Sequence, residues 1–303
     1  MTQLDILTTE NPTLQEAFTA FCEVYMPSRN FSMVTRRGYT YDLSEWLAQV
    51  QITYVNEISS QAIQRYLSIL DLKGLKGSTR HRKVAAIKTF LKYLEAQGIL
   101  PTDFSDKLIW PEVSRDEPRA LSTTDYTTIL REAAHDPRDS AMFELLLQTG
   151  IRLSELTALT LDDVTLPVKP SNDPINGYGL LRVKRKGRRL QELILNYKAC
   201  RAIKSYLKTR PKTSSQALFL TKYGEPITNR SVQKAFKKYA IAAGVPWAHV
   251  HTLRTTHITH HIASKTDIKT VQGNAGHASL ATTNYYASYV KEAQIRAMQE
   301  NAL

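Results

Sequence analysis

Cysteine is scarce in this chain: Cys22 and Cys200 are the only two in 303 residues. They lie in different halves, within amphipathic segments and without metal-ligand spacing. That excludes a disulfide framework and leaves both as expected reduced core residues. Acidic residues are also few, 28 against 40 Lys and Arg, so the formal net charge is +12 and the pI about 9.6. Such an excess favours a polyanionic partner, of which nucleic acid is the commonest, over an ordinary basic housekeeping protein. No run of about 18 apolar residues exists, so no membrane-spanning helix is expected. The N-terminal "MTQLDILTTENP" carries acids and lacks a basic-then-apolar signal pattern, which fits a cytoplasmic protein. His257 and His261 stand i, i+4, but without an HExxH pattern or a nearby cysteine they are not read as a metal site. Internal repeats and low-complexity tracts are lacking too. What remains is a chain of ordinary composition, 42% hydrophobic and 22% charged, long enough for two domains with cores of their own.

Residues 1–102 read as a helical domain. "TLQEAFTAFCEVYM" opens with Thr13 three residues before Glu16, a capping-box pattern, and Leu14, Phe18, Phe21, Cys22 and Tyr25 follow at helical spacing. Further helices are expected over 32–49, 59–72 and 78–97, the last closed by Gly98. Between Lys73 and Lys92 stand seven Lys or Arg and no acid. A merely solvated helix face usually mixes signs, so Lys73, Lys76, Arg80, Arg82, Lys83 and Lys88 are expected to contact phosphates. Residues 103–118, rich in proline, read as an interdomain linker. A second domain, 119–303, begins with helices over "LSTTDYTTILREA" and "DSAMFELLLQTG". The alternating "GLLRVKRKGRRLQELIL" then predicts a β-hairpin with a basic turn. The chain returns to helix from about 198, interrupted by an extended "ALFLTKYGEPIT".

Four segments occur in order: "TGIRLSELTALTLDDV", "VKRKGRRLQELIL", "HTLRTTHITH" and "GHASLATTNYY". Together they resemble the tyrosine recombinase, or phage integrase, family. The resemblance covers the second domain throughout and fits the N-terminal helices more loosely. It implies a mainly α fold with a small β-hairpin or sheet, in which a helical SAM-like core-binding domain and an α+β catalytic domain form a C-shaped clamp on DNA. Carried over residue by residue, Arg152 matches the first active-site arginine and Glu155 the acid that buttresses it. Lys186, at the hairpin turn, matches the catalytic lysine, and Arg185 and Arg188 beside it are expected on the DNA backbone. His251 and Arg254 match the H-x-x-R pair, His277 the position after Gly276, and Tyr286 the nucleophile. Two positions depart from the common pattern: Thr255 follows Arg254 where His is frequent, and Asn274-Ala275 precedes Gly276 where Leu-Leu is favoured.

The chemistry asks for the same residue types. Attack of a hydroxyl on a phosphodiester builds negative charge that two forked, permanently charged arginines can clamp. A phenol with an ordinary pKa near 10 needs an electropositive pocket or a base such as His251 to ionise. Lys186 can protonate the departing 5′ oxygen, and neither metal nor other cofactor is called for. The resemblance therefore implies a site-specific recombinase of double-stranded DNA, acting through a 3′-phosphotyrosine and a Holliday junction. It also implies a tetramer on two sites, with C-terminal tails exchanged between protomers. A relaxing type IB-like topoisomerase is the alternative, disfavoured because the residues after Tyr286 are well placed to join protomers. A catalytically silent DNA-binding protein of the same fold is disfavoured because every catalytic position holds a competent residue. Only about a dozen residues precede the first expected helix, too few for an added arm-binding domain, so the simpler two-domain, Cre- or Xer-like layout is expected. The tail, 290–303, has a narrow apolar stripe of Val290, Ala293 and Ala297 and reads as a short helix in need of a partner surface.

Overall fold

The structure is a computed structural model that describes residues 11–100, 108, 110–113, 117–171, 173, 177–185, 189–277 and 279–300. The chain divides into two compact units, Met1–Asp116 and Glu117–Leu303.

The first unit is helical. Helix α1 (Leu14–Ala20) continues through a π-helical stretch, Phe21–Tyr25, into Met26–Ser28. The expected capping box is formed: the Thr13 hydroxyl accepts from the Glu16 N–H, and the Glu16 carboxylate accepts from the Thr13 N–H at 2.9 Å. Helices α2 (Met33–Gln49), α3 (Ser60–Leu72) and α4 (Gly77–Ala96) follow the expected spans within a residue, for local reasons. Ser32 and Ser59 cap the starts of α2 and α3, and Gly98 stops the chain after α4 with φ +70°. Phe21, Trp46, Phe90 and Tyr93 fill the core between these helices, with the ring of Phe90 edge-on to Phe21 and Trp46.

One member of the basic run is not where a phosphate contact must be. Lys83 is 3% exposed, and its ammonium pairs with Glu45 at 2.8 Å and with Asp42 at 3.3 Å. An i, i+3/i+4 pattern places Lys83 on the apolar side of α4, and two carboxylates on α2 make that burial tolerable. The expectation that Lys83 meets DNA is therefore withdrawn. Arg82 is half-exposed but also holds Asp42, Arg80 pairs with Asp71, and the Lys88 ammonium lies over the Trp110 ring. Lys73 and Lys76 are exposed.

The second unit is built around α6 (Pro137–Thr149), on which α8 (Tyr197–Thr209) and α10 (Val250–Ala263) pack. From Ala141 to Leu147 every residue of α6 is buried, as befits a helix covered on all sides. Helix α5 (Thr123–Ala133) precedes it, α7 (Leu153–Thr157) follows at once, and α9 (Asn229–Ala242) contributes Phe236, set edge-on to Phe143. The hairpin is present as β2 (Gly179–Lys184) and β3 (Leu190–Leu195), paired Lys184 to Leu190 at the turn end. A two-residue strand β1 (Val164–Thr165), too short to show a period in sequence, adds to β2 and makes a three-stranded antiparallel sheet. The hairpin turn, with Lys186 and Arg188, lies outside the described residues. Two helices end the chain, α11 (Ile268–Ala275) and α12 (Leu280–Glu300). The expected short tail helix is thus the second half of one long helix that already carries Tyr286. Among the described residues no helix is long and apolar enough to cross a membrane. Cys200 is buried and Cys22 half-buried, and burial pushes both thiols up in pKa.

Candidate active site

The site begins where α6 stops. Gly150 takes the left-handed conformation at φ +64°, and a Cβ there would come within 2.5 Å of the His257 ring. Only glycine fits both constraints. The turn places Arg152 at the N-cap of α7, where its N–H donates to the Glu155 carboxylate at 2.7 Å. The Arg152 guanidinium donates to the same carboxylate at 2.9 Å and to the Gly276 carbonyl at 2.5 Å. Glu155 is buried, which alone would raise its pKa. The Arg152 N–H and the Arg185 charge outweigh burial and hold the carboxyl below its usual value.

Arg254 rises from α10 and donates to the Gly150 carbonyl at 2.5 Å. It is 4% exposed, and burial, with Arg152 next to it, lowers its pKa to about 10. It remains charged at neutral pH, at a cost that an entering anion would relieve. One turn earlier stands His251, an exposed residue at the mouth of the pocket. Desolvation by its neighbours and the Arg254 charge push it below its ordinary value, so it is neutral at pH 7 and able to take a proton. His277 follows the left-handed Gly276 that ends α11. Burial and the two arginines push it down to about 4, and its Nδ1 shares a 2.9 Å hydrogen bond with the Thr283 hydroxyl. At that basicity His277 is suited to donating a hydrogen bond rather than to accepting a proton. The ring of Tyr286 lies parallel to that of His277, centroids 6.1 Å apart and planes 10° apart, and is 9% exposed.

Arg152, His251, Arg254, His277 and Tyr286 thus line one open pocket, although they come from widely separated parts of the chain. Asn229 lines it too, at the start of α9, and accepts from the Thr157 hydroxyl at 2.7 Å. Asn229 carries no sequence signal that sets it apart. Thr283 lies in the quoted motif without a stated role, yet it is fully buried and orients His277. Arg185, expected on the DNA backbone, instead turns inward to Glu155 at 2.6 Å. The histidines of α10 divide by role: His257 is 5% exposed, and burial lowers its pKa to about 4. Its Nδ1–H then donates to the Leu147 carbonyl at 2.9 Å, a structural bond.

Paired guanidiniums, neutral imidazoles and a tyrosine around one cleft form equipment for phosphoryl transfer to a phenol. Fold and site together define a strand-transferase type of catalytic unit that follows a helical unit along the chain. The chain belongs to the phage integrase family, the tyrosine recombinases: the family model of that name matches residues 119–292, and the model of its N-terminal SAM-like domain matches 18–98. Among similar proteins, a tyrosine recombinase XerC of Psychromonas ingrahamii is 30% identical over 90% of this chain and 91% of its own length. XerC of Roseiflexus castenholzii is 31% identical over 90% and 88%. XerD of Bifidobacterium longum is 29% identical over 93% and 96%. Two solved structures share the fold. A lambda integrase dimer bound to a core site has TM-score 0.71 at 17% identity, covering 91% of this chain and 77% of that one. The XerH recombinase bound to a palindromic difH substrate has TM-score 0.71 at 19% identity, covering 92% and 83%.

Proposed function

We propose that this enzyme cuts and rejoins double-stranded DNA at specific sites, with Tyr286 as the nucleophile. The observation that carries this reading is the convergence of Tyr286 with Arg152, Arg254, His251 and His277 on one pocket. Arg152 and Arg254 hold the non-bridging oxygens of the scissile phosphate while the phenol oxygen of Tyr286 attacks phosphorus. The phenolic proton passes to His251, and the bond from phosphorus to the 5′ oxygen breaks. Lys186, next in sequence to Arg185, is assigned the proton that this oxygen takes up. A 3′-phosphotyrosine results, and it keeps the energy of the broken diester. A 5′ hydroxyl of the partner duplex can then displace Tyr286 and make a Holliday junction. The exposed Lys73 and Lys76 are the first candidates for phosphate contacts from the helical unit. A lambda integrase of this fold forms a tetramer on a Holliday junction, and we infer the same four-protomer assembly here, on cytoplasmic DNA. Docking of the end of α12 on the neighbouring protomer would complete it.

The test uses duplexes that the full-length protein selects from a random pool, nicked so that cleavage traps the intermediate. Tyr286→Phe should bind but give no covalent band on a denaturing gel, whereas Tyr285→Phe and Tyr289→Phe should retain one. An adduct that survives in Tyr286→Phe sinks the assignment. On a plasmid with two sites, deletions or inversions are expected; relaxed circles alone would mean a topoisomerase.

A further inference from the structure

A carboxylate facing an arginine tends to close into a two-pronged pair that uses both of its oxygens. Glu155 does not do this with Arg152. Its Oε1 takes the Arg152 side chain, while its Oε2 takes the Arg152 N–H and the Arg185 guanidinium. Arg185 therefore occupies the oxygen that the second prong of Arg152 would need. Held by one nitrogen to Glu155 and by the other to the Gly276 carbonyl, Arg152 keeps its remaining N–H donors for the pocket.

Arg185 also governs that second acceptor. Its Nη2 donates to the Asn274 carbonyl at 2.5 Å and its Nε to the Gln191 side chain at 2.9 Å. Gln191, across the hairpin, donates in turn to the Gly273 carbonyl at 2.9 Å. Both carbonyls belong to the last turn of α11, the negative end of that helix, where a cation is favoured. Helix α11 buries only Val271 and, at its last position, Ala275, so the carbonyls of its last turn remain open to these donors. The guanidinium lies against Gly276 so closely that a Cβ there would stand 2.7 Å from its central carbon. The Arg185 side chain is 8% exposed with all three nitrogens engaged, which is not the posture of a group awaiting DNA backbone.

We propose that Arg185 is a positioning residue for Arg152: it fixes the Glu155 carboxylate and the Gly276 carbonyl that together aim Arg152 at the scissile phosphate. The role rests on the reading of Arg152 as a phosphate clamp. It distinguishes Arg185 from Arg188, with which the sequence alone groups it.

The test measures single-turnover adduct formation by full-length protein on the selected, nicked duplex. Arg185→Ala should slow it by ~10–100-fold, the range for groups that orient a catalytic ligand, with DNA affinity unchanged. Arg185→Lys should remain slow, since an ammonium supplies charge without the fork that reaches three acceptors. A methylphosphonate at the scissile position removes one anionic oxygen. The isomer that spares Arg152→Ala should spare Arg185→Ala as well, and the double variant should be no slower than Arg152→Ala. Arg185→Gln, run beside Arg185→Ala, carries the same expectations if the alanine variant does not fold. Equal losses on phosphate and methylphosphonate, multiplied losses in the double variant, or full activity in Arg185→Lys would overturn the role. So would weaker DNA binding with a shallower salt slope, the mark of a phosphate contact. If wild-type protein forms no adduct through Tyr286, the reading of the whole site fails with it. A normal wild-type adduct with multiplied losses refutes Arg185 alone.

Discussion

Replacing Lys83 by methionine leaves a chain of similar length in the same place and removes the charge that Asp42 and Glu45 share. The Asp42 side chain is 0% exposed, so its carboxylate cannot turn to water. Breaking a buried pair from one side costs about 3–5 kcal/mol. Arg82, half-exposed, stays on Asp42 and returns about 1 kcal/mol, which leaves a net loss of about 2–4 kcal/mol. That is a large share of the stability of a helical unit of this size. In urea it lowers the unfolding midpoint by about 1–2 M, read by circular dichroism and by fluorescence of the buried Trp46. Adding Asp42→Asn should recover part of the loss, because the stranded charge is then gone. DNA affinity of the folded variant, titrated against salt, should keep the wild-type slope. A variant of unchanged stability whose salt slope is shallower by about one would show Lys83 on a phosphate, and the burial argument would be wrong.

Two further outcomes follow from glycine and histidine geometry. Gly150→Ala must hold an L residue at φ +64° and displace the His257 ring, at a cost of about 2–3 kcal/mol, and it should slow cleavage by shifting the carbonyl that holds Arg254. Gly244→Ala is the control: at φ +75° with open space around it, it should cost only about 1 kcal/mol and leave cleavage alone. His257, held near 4 in the fold and near 6.5 when unfolded, binds a proton more readily in the unfolded chain. Its contribution is complete above pH 6.5 and declines as pH falls, by about 2 kcal/mol between pH 6.5 and 5. His277 shifts in the same direction and adds to the trend. Urea unfolding across that range should show the decline, and His257→Gln should flatten it. An equal slope in the variant would place the proton uptake elsewhere.

Local chemistry made much of this protein legible before any fold was known. Thr13 with Glu16, Ser32, Ser59 and the glycines at 98, 150 and 276 act on backbone groups within a few residues of themselves. The helix limits of the first unit could therefore be read directly, and so could the alternation of β2 and β3. The stretch after about 198, by contrast, read only as helical and folds as several separate helices. The order of Arg152, His251, Arg254, His277 and Tyr286, and the chemistry those side chains suit, is likewise a property of the chain. What the sequence could not decide is which charges meet. Lys83 and Arg185 both sit in acid-poor basic runs, and both looked like DNA contacts. Each is instead buried against carboxylates supplied by other elements, Asp42 and Glu45 for one and Glu155 for the other. Asn229, Gln191 and Thr283 gain their places in the same way, from helices and strands that meet only in the folded unit. A cap or a hairpin is settled by neighbours along the chain, whereas the fate of a charge depends on what packing brings opposite it and how much water that packing removes.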